Sequence, residues 1–562
     1  MATVNEKRRV LVIGLDGATL DLARPWAEAG FLPTFRRLLQ EGAWGELTTV
    51  IPPVTGPAWS SFLTGMNPGR HGLYDFMRLA PGTYRIQPVN ATLRAGDSLW
   101  TILSRAGKRV IVLNVPATYP PEPVNGVLVT GMMTPPQAPT FTYPPELGRE
   151  LVSALGGYDI WPAEVFHPQG RERPLLAALS RLTRQTEQAL AYLQRRVPDW
   201  DFCMAVFMAT DVVQHFTWHF MDPSHSRHPA RAPADLRDAI LNTYRELDAA
   251  LARLIAQVDA RTLLIVMSDH GFGPLEQYLY LNAWLLEMGF LHLRRRPTTR
   301  VKYLLQRAGF TPLTAYRLLW HVGLGAQVGR TVRARKGLVR KGLATLFLSF
   351  DDVDWPRTRA YSLGNVGPLY VNLRGREPQG AVTPGAEYER TLSDLMAALS
   401  AWRDPATGEK IVGRVYRREE LFHGERVGQA PDLFVLPADL RDQAFGEHQF
   451  PAKGWLGRAL DRSGGHRLNG LVMLAGPGVR AGMRLDGAHI MDLAPTILAA
   501  LGVPIPRAMD GRALTEAFVE GALGPAIIAE EAKAPTERTE ATLSEEEEAA
   551  VREHLKGLGY LG

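Results

Sequence analysis

Short runs of consecutive apolar residues recur along the chain, and a glycine, a proline or a polar residue follows each of them within three positions. The runs cover residues 10–15, 110–113, 127–129, 202–207, 263–267, 369–371, 433–435 and 471–474. Runs that are continuous rather than alternating are typical of strands buried on both faces of a parallel sheet. We therefore predict that these segments are strands of a mostly parallel sheet.

Amphipathic segments with helical spacing separate the apolar runs. They cover residues 32–40, 98–103, 175–195, 211–215, 234–257, 492–501 and 545–555. In the segment 234–257, for example, Ile240, Tyr244 and Leu247 fall on one helical face. The succession of buried strands and amphipathic helices predicts a fold of the α/β class.

One segment, from Ile51 to Gly65, presents a threonine at the start of a helix. Pro57 suits the first helical position, which makes Gly56 the predicted N-cap and Gly65 the predicted end. Thr55 then lies just ahead of a helix N-terminus, where unpaired N–H groups and the helix dipole favour an anion. A threonine hydroxyl becomes a nucleophile only when a base or a metal ion activates it.

Ligand-type side chains follow three of the predicted strands. The aspartates at these strand ends are Asp16, Asp211 and Asp269, and the associated histidines are His215, His270 and, in a later glycine loop, His466. Because the carboxyl ends of parallel strands meet at one edge of a sheet, we expect these side chains to lie together. Carboxylates and neutral imidazoles are ligands of hydrolytic zinc or manganese centres. The sequence therefore predicts a metal site beside Thr55.

The amino-acid composition limits the class of protein and leaves the predicted fold and metal site unchanged. Of 562 residues, 46% are hydrophobic and 22% are charged, which are globular values. A single cysteine, Cys203, excludes an intramolecular disulfide framework and a thiolate zinc cluster. No apolar run approaches the roughly 20 residues of a membrane span, and the N-terminal apolar run is too short for a signal peptide. We expect a cytoplasmic protein, and the oligomeric state is left open.

The positive charge of the chain is concentrated in one block. Residues 288–350 contain thirteen lysines and arginines and no acid, so the remaining chain carries 5 − 13 = −8. We predict a basic helical insertion at 288–350 that divides a catalytic core at 1–287 and 351–527, followed by an acidic tail at 528–562 with a short helix. Leucines and Trp320 lie among the arginines, a composition that fits an anionic membrane surface or the gathering of an anionic substrate. Nucleic acid is not an expected partner.

Together these motifs resemble those of the alkaline phosphatase superfamily. The nearest branch is that of type I phosphodiesterases and nucleotide pyrophosphatases, including predicted phosphohydrolase/phosphomutase members, and the resemblance spans residues 10 to about 515. The motifs that carry it are Gly14-Leu15-Asp16-Gly17, Thr55-Gly56-Pro57, Thr64-Gly65, His71-Gly72, Asp211-x3-His215, Ser268-Asp269-His270-Gly271 and Gly465-His466, with the later Asp492-Leu493-Ala494-Pro495-Thr496.

This resemblance implies a three-layer α/β/α sandwich and a phosphoric ester hydrolase with two divalent metal ions, zinc or alternatively manganese. One ion would be held by Asp211, His215 and His466. The other would be held by Asp16, Asp269 and His270, with Thr55 bound to it as the nucleophile that forms a phospho-threonine intermediate. The substrate implied is a phosphate ester, and the expected reaction is that of a phosphodiesterase.

The chain departs from the resemblance at one position. Nucleotide pyrophosphatases carry an asparagine shortly after the His-Gly pair, whereas this chain has Tyr74-Asp75-Phe76 there. Asn114, at the end of its own strand, is a candidate replacement for contact with the substrate. Because the usual asparagine is missing, we expect an aryl or lipid-like phosphodiester rather than a nucleotide as the substrate.

Three alternatives stay open or are weakened at this point. A phosphomutase or phosphomonoesterase of the same superfamily would use the same fold and metal ions. A sulfatase is disfavoured, because the segment from Thr55 to Trp59 has neither the Cys/Ser nor the Arg of the formylglycine motif. A non-catalytic scaffold that binds anionic surfaces is disfavoured because every ligand position is intact.

Overall fold

A nine-stranded sheet forms the centre of the computed structural model, which describes residues 8–161, 170–311, 314, 347–447, 450, 453–524, 526–529 and 541–558. The strands of this and the smaller sheets are β1 (Arg9–Leu15), β2 (Ala43–Thr48), β3 (Met77–Leu79), β4 (Ile86–Pro88), β5 (Val110–Val115), β6 (Gly126–Thr130), β7 (Thr142–Tyr143), β8 (Phe202–Phe207), β9 (Thr262–Met267), β10 (Gly271–Pro274), β11 (Gln277–Tyr280), β12 (Ala360–Tyr361), β13 (Gly364–Asn365), β14 (Pro368–Val371), β15 (Val412–Arg417), β16 (Leu433–Pro437), β17 (Asp442–Gly446), β18 (Leu456–Arg458), β19 (Gly464–Arg467), β20 (Asn469–Ala475) and β21 (Met483–His489).

The order of strands in the main sheet is β21-β2-β20-β9-β1-β8-β5-β6-β7. The five adjacent strands β9, β1, β8, β5 and β6 are parallel to one another. Strand β20 runs antiparallel to both of its neighbours, and β7 runs antiparallel to β6. Every residue of β8 and of β9 is buried, as continuous apolar runs require of strands covered on both faces. The prediction of a mostly parallel sheet is confirmed.

Helices cover the sheet in two groups. The helices are α1 (Leu20–Glu28), α2 (Pro33–Glu41), α3 (Thr55–Thr64), α4 (Pro68–His71), α5 (Leu99–Arg105), α6 (Leu147–Leu155), α7 (Glu172–Arg196), α8 (Ala209–Met221), α9 (Ala234–Arg237), α10 (Ala239–Ile255), α11 (Leu281–Glu287), α12 (Pro297–Arg307), α13 (Ala386–Ser400), α14 (Arg418–Leu421), α15 (Leu493–Ala500) and α16 (Glu545–Gly557). One layer packs α1, α2, α7, α8 and α10 together, and the other packs α3, α5 and α15. The fold is a three-layer α/β/α sandwich.

Two details of the predicted helices are wrong. The helix α3 begins at Thr55 with Val54 as its N-cap, two residues earlier than the predicted cap at Gly56, whereas Gly65 ends it in the left-handed conformation as predicted. The segment 234–257 divides at Asp238 into α9 and α10, because the chain turns there with its backbone outside the helical region. Neither change moves a predicted ligand.

A second hydrophobic cluster is built from residues 279–450 and lies beside the main one. Its strands form two separate sheets, β13-β17-β11-β18 and β12-β14-β16-β15. The runs 369–371 and 433–435 are strands, but they pair with each other in the second of these small sheets and not in the main sheet, which corrects the prediction. An apolar run taken alone does not indicate which strand it pairs with, because pairing depends on contacts between segments that are distant in the sequence.

Part of the basic insertion and of the acidic tail lies outside the described residues, namely 312–313, 315–346, 530–540 and 559–562. Within the described part, α12 belongs to the insertion, and the predicted tail helix is present as α16. Val551, Leu555 and Leu558 anchor α16 in the main hydrophobic cluster. The proposed domain boundaries stay a prediction. No helix of the described residues has both the length and the apolar character that crossing a bilayer requires.

Candidate metal centre

Three carboxylates meet where the central parallel strands end. β1 lies between β8 and β9 in register, with Leu15 opposite Phe207 and Gly14 opposite Met267. The strand ends therefore place Asp16, Asp211 and Asp269 close together, as predicted from the convergence of parallel strands at one sheet edge. All three side chains are fully buried. Asp211 lies in the first turn of α8, and His215 follows it one turn later on the same face.

Gly17 makes the close approach of these strands possible. Its φ is +68°, and a Cβ there would lie 3.1 Å from the Cα of Asp211, so a side chain would be both strained and crowded. Its amide donates to Oδ1 of Asp269 at 3.2 Å. This bond fixes the Asp269 carboxylate and leaves its other oxygen, Oδ2, directed at the cluster, 3.4 Å from Nε2 of His270.

A short two-stranded pairing brings His466 to the same point. β10 begins directly after His270 and pairs antiparallel with β19, placing Phe272 opposite His466. The rings of His270 and His466 consequently stack with their centroids 3.6 Å apart. Gly464 allows β19 to approach α8, since a Cβ there would lie 2.4 Å from the carbonyl oxygen of Gln214. The glycine loop recognised in the sequence is thus a packing requirement of the site.

All three histidines present the same nitrogen to the cluster. Nδ1 of His215, of His270 and of His466 faces the carbonyl oxygen of Gly464, Gly271 and Pro53, at 2.8, 3.1 and 2.8 Å respectively. A carbonyl oxygen can only accept, so each Nδ1 carries the hydrogen and each Nε2 carries a lone pair. Metal-binding histidines are oriented by bonds of this kind.

The ligand atoms form two overlapping groups that share His270. One group contains Asp211, His270 and His466, and the other contains Asp16, Asp269 and His270, with all ligand atoms of a group within 4.8 Å of one another. His215 adjoins the first group, its Nε2 lying 3.4 Å from Oδ1 of Asp211. The structure therefore brings all six predicted ligands together. Their division between two ions stays a prediction.

The chemistry of this donor set fits a divalent cation. Nε2 of His215 and Nε2 of His466 are 3.0 Å apart, and two lone pairs at this distance require a cation or a proton between them. Oδ1 of Asp16 and Oδ2 of Asp269 are buried without a hydrogen-bond donor among the described residues. Buried carboxylate oxygens are costly unless a cation or a donor compensates them.

The pKa values follow from the burial of the cluster. Burial raises the pKa of Asp16 well above its usual range, and the neighbouring Asp269 and Asp211 raise it further. Burial also raises the pKa of Asp269. For Asp211 burial acts in the same direction, but His215 and His466 together hold its pKa well below the usual range. Burial lowers the pKa of His466 to about 4, so this imidazole is neutral at pH 7 and available as a ligand.

Thr55 reaches the cluster from the start of α3. Its side chain is fully buried, and its Oγ1 lies 3.3 Å from Nε2 of His270. One turn further along the same helix face, Nε1 of Trp59 donates to Oδ2 of Asp16 at 2.9 Å. Trp59 was not among the predicted site residues, although its i+4 spacing from Thr55 was a signal for it. The helix thus supplies both the hydroxyl and a bond that holds a ligand.

Asn114 is not brought into the cluster. Its Oδ1 accepts from the hydroxyl of Tyr158 at 2.6 Å, and its Nδ2 donates to Thr186 at 3.3 Å, so both ends of the amide are used at another point of the fold. A role for Asn114 in substrate contact stays a prediction.

An asparagine does lie where the motif lacks one. The backbone amide of Asn365 donates to Oδ2 of Asp75 at 2.6 Å, and its Nδ2 faces Oδ1 of Asp75 at 3.2 Å. The carbonyl oxygen of Asp75 adjoins the start of α3, since a Cβ on Gly56 would lie 3.8 Å from it. No local pattern indicates the contact between Asn365 and Asp75, because the two residues are 290 positions apart.

Comparison with known proteins supplies the family context. The family model described as type I phosphodiesterase / nucleotide pyrophosphatase matches residues 10–448. The comparison with curated proteins gives no significant match.

Among solved structures, the chain is similar to phosphonoacetate hydrolase from Sinorhizobium meliloti 1021 in complex with phosphonoformate, at 15% identity and a TM-score of 0.49, covering 89% of this chain and 98% of that one. It is also similar to human ectonucleotide pyrophosphatase / phosphodiesterase 5, at 11% identity and a TM-score of 0.48, covering 92% and 100%. Likenesses at these identities and scores give no information on what this chain acts on.

Proposed function

Since the chain belongs to the type I phosphodiesterase / nucleotide pyrophosphatase family and is thus a phosphoric ester hydrolase, we propose that it cleaves phosphodiesters with Thr55 as the nucleophile at a site for two divalent metal ions. The observation that carries the proposal is the position of Thr55. Its Oγ1 lies 3.3 Å from Nε2 of His270, the residue that both ligand groups share. His466 lies beyond the segment that the family model matches, so its place rests on the geometry.

We assign the six ligand side chains to two metal ions in the way that the resemblance implies. Asp211, His215 and His466 would hold one ion, and Asp16, Asp269 and His270 would hold the other next to Thr55. Bound ions of this kind lower the pKa of a hydroxyl and stabilise negative charge on phosphoryl oxygens. Zinc fits the mixture of imidazole and carboxylate ligands, and manganese is the alternative.

The chain's own residues account for a displacement in two steps. Thr55 Oγ1 forms a bond to phosphorus as the bond from phosphorus to one ester oxygen breaks, and that alcohol leaves. Water then attacks the phospho-threonine, which releases a phosphate monoester and restores the Thr55 hydroxyl. Trp59 and Gly17 keep Asp16 and Asp269 in place during both steps, because each donates to one carboxylate oxygen.

The described side chains around Asp16 and Asp269 favour a diester over a monoester. Among the described residues, neither Asp16 nor Asp269 pairs with a lysine or an arginine, and both face His270 instead. Arg70, the arginine nearest in sequence to the Thr55 helix, pairs with Asp510 at 3.0 Å. A monoester dianion would lack the cation that its extra charged oxygen requires.

The substrate class is tested by kcat/KM with zinc or manganese added. We expect bis(4-nitrophenyl) phosphate to be a better substrate than 4-nitrophenyl phosphate and than the 4-nitrophenyl ester of a nucleotide. If the monoester is preferred by tenfold or more, which is about 1.4 kcal/mol in transition-state binding, the diester assignment is wrong. The phosphomutase or monoesterase alternative would then take its place.

A second proposal concerns an anionic membrane surface at the basic insertion. In its described part, α12 exposes Val301 and Leu304, which are 55% and 65% exposed, beside Arg300 and Arg307. Exposed apolar side chains among basic ones are typical of helices that lie at a membrane interface. A cytoplasmic location, with peripheral attachment to a membrane, stays a prediction.

Vesicle sedimentation tests this surface directly. We expect the protein to sediment with phosphatidylserine vesicles at low salt and to be released at high salt, because attraction of about 1 kcal/mol per basic residue is screened by ions. Neutral phosphatidylcholine vesicles are the control. Protein that stays in the supernatant with anionic vesicles at low salt would rule the surface out.

A further inference from the structure

A cavity of about 550 Å³ lies between the main sheet and the second hydrophobic cluster, with His466 on its wall. We propose that this cavity binds an uncharged apolar alcohol group of the phosphodiester substrate, such as an alkyl chain or an aryl ring. The inference rests on the proposed function and extends it by naming the part of the chain that selects the substrate.

The cavity adjoins the metal centre through His466, which belongs to both. His466 contributes Nε2 to the ligand cluster, and its Nδ1 donates to the carbonyl oxygen of Pro53, which also lines the cavity. Pro53 precedes Thr55 by two residues. The ring of Phe272, another wall residue, packs edge-on against His215 with centroids 4.7 Å apart. One ester group of a phosphodiester bound at Thr55 would therefore enter this cavity.

The wall has the chemistry of an apolar binding site. Its apolar and aromatic side chains come from α1, the β2–α3 connection, α8, β10 and the β15–β17 region, and include Leu20, Ile51, Trp218, Phe272, Phe434 and Leu440. A volume of 550 Å³ is in the range of small-molecule pockets, which are lined mainly in this way. Leu440 is 52% exposed, which places it at the rim of the cavity.

The charges at the wall disfavour an anionic group. Three acids line the cavity, Asp21, Glu46 and Asp442, against one base, Arg467. The Arg467 guanidinium already donates to the carbonyl oxygens of His466 at 2.9 Å and Pro274 at 2.5 Å, so its role is to clamp β19 to β10. A nucleotide with further phosphates would meet net negative charge here, whereas an alkyl or aryl group would not.

The test compares 4-nitrophenyl methyl phosphate with 4-nitrophenyl octyl phosphate on the metal-loaded full-length protein. Burial of each methylene is expected to raise kcat/KM by about three- to fourfold until the cavity is filled. In the variant Leu440→Asp the ratio of octyl to methyl rates should fall at least tenfold. Val519→Asp, which changes a side chain that is 50% exposed and lies away from the cavity, should keep the wild-type ratio.

A binding measurement separates this inference from the proposed function. Calorimetric titration with unreactive octyl methylphosphonate should show binding to the wild type that Leu440→Asp weakens and Val519→Asp does not. If neither diester turns over, the proposed function fails and the titration alone decides on the cavity. Equal rates for the two esters, or equal binding by wild type and Leu440→Asp, would overturn the inference.

Discussion

Replacement of Thr55 by alanine is expected to lower kcat for a phosphodiester by roughly a thousandfold or more. The hydroxyl is the only group of this side chain that reaches the cluster, and its Oγ1 lies 3.3 Å from Nε2 of His270. Six other side chains form the ligand cluster, so the content of bound metal should change little. The measurement is kcat for bis(4-nitrophenyl) phosphate together with metal analysis of the same sample.

Two further variants test whether the loss of activity is specific to the Thr55 hydroxyl. Thr55→Ser keeps the hydroxyl and should retain a measurable part of the activity. Thr64→Ala removes a buried hydroxyl from the same helix, where that hydroxyl donates to the Ser60 carbonyl and accepts from the Met66 amide, and should retain nearly all of the activity. Activity of Thr55→Ala above one tenth of wild type would argue against covalent catalysis by this residue.

Asp211→Asn is expected to lose the ion that Asp211, His215 and His466 would hold and to lower kcat/KM by roughly a hundredfold or more. Oδ1 of Asp211 lies 3.4, 3.9 and 3.2 Å from Nε2 of His215, His270 and His466, so this one carboxylate adjoins every histidine of the cluster. An amide keeps the shape of the side chain but removes the charge that compensates a cation. Metal content and kcat/KM are measured on the purified variant.

A variant of His215 tests a second side chain beside Asp211. His215 adjoins only the Asp211 side of the cluster, so His215→Ala should lower the metal content by about one ion per chain while the other ion remains. Circular dichroism checks that both variants stay folded. A metal content equal to that of wild type in Asp211→Asn would place this carboxylate outside the ligand sphere.

The main sheet could be predicted because its central strands are buried on both faces. β1, β8 and β9 are continuous apolar runs, and such runs leave few alternatives to parallel strands between two helical layers. The predicted site follows from the ends of these strands, since Asp16, Asp211 and Asp269 each follow one strand. Topology alone therefore predicts that these three carboxylates come together.

Other parts of the fold depend on contacts that no local pattern carries. β2 and β21 lie at the edge of the main sheet, where β2 alternates buried and more exposed positions, and neither contains a continuous apolar run. The small sheets join strands that are distant in the sequence, such as β11 with β17. Their register is set by packing in the second hydrophobic cluster, which the apolar runs alone could not define.

The same limit applies to residues that support the site. Trp59 could have been recognised by its spacing from Thr55, but only the fold shows that it reaches Asp16. Asn365 meets Asp75 across 290 positions, so no segment near the motif could indicate that an asparagine lies beside Asp75. A sequence motif describes only its own segment, so it cannot indicate the residues that a distant segment places beside it.

The configuration at phosphorus tests the central claim most directly. A chiral aryl phosphorothioate diester is hydrolysed by the metal-loaded protein in ¹⁸O-labelled water, and the configuration of the product monoester is determined. Attack by Thr55 followed by attack of water inverts phosphorus twice, so the account predicts net retention. Net inversion would show a single direct attack by water and would contradict a phospho-threonine intermediate.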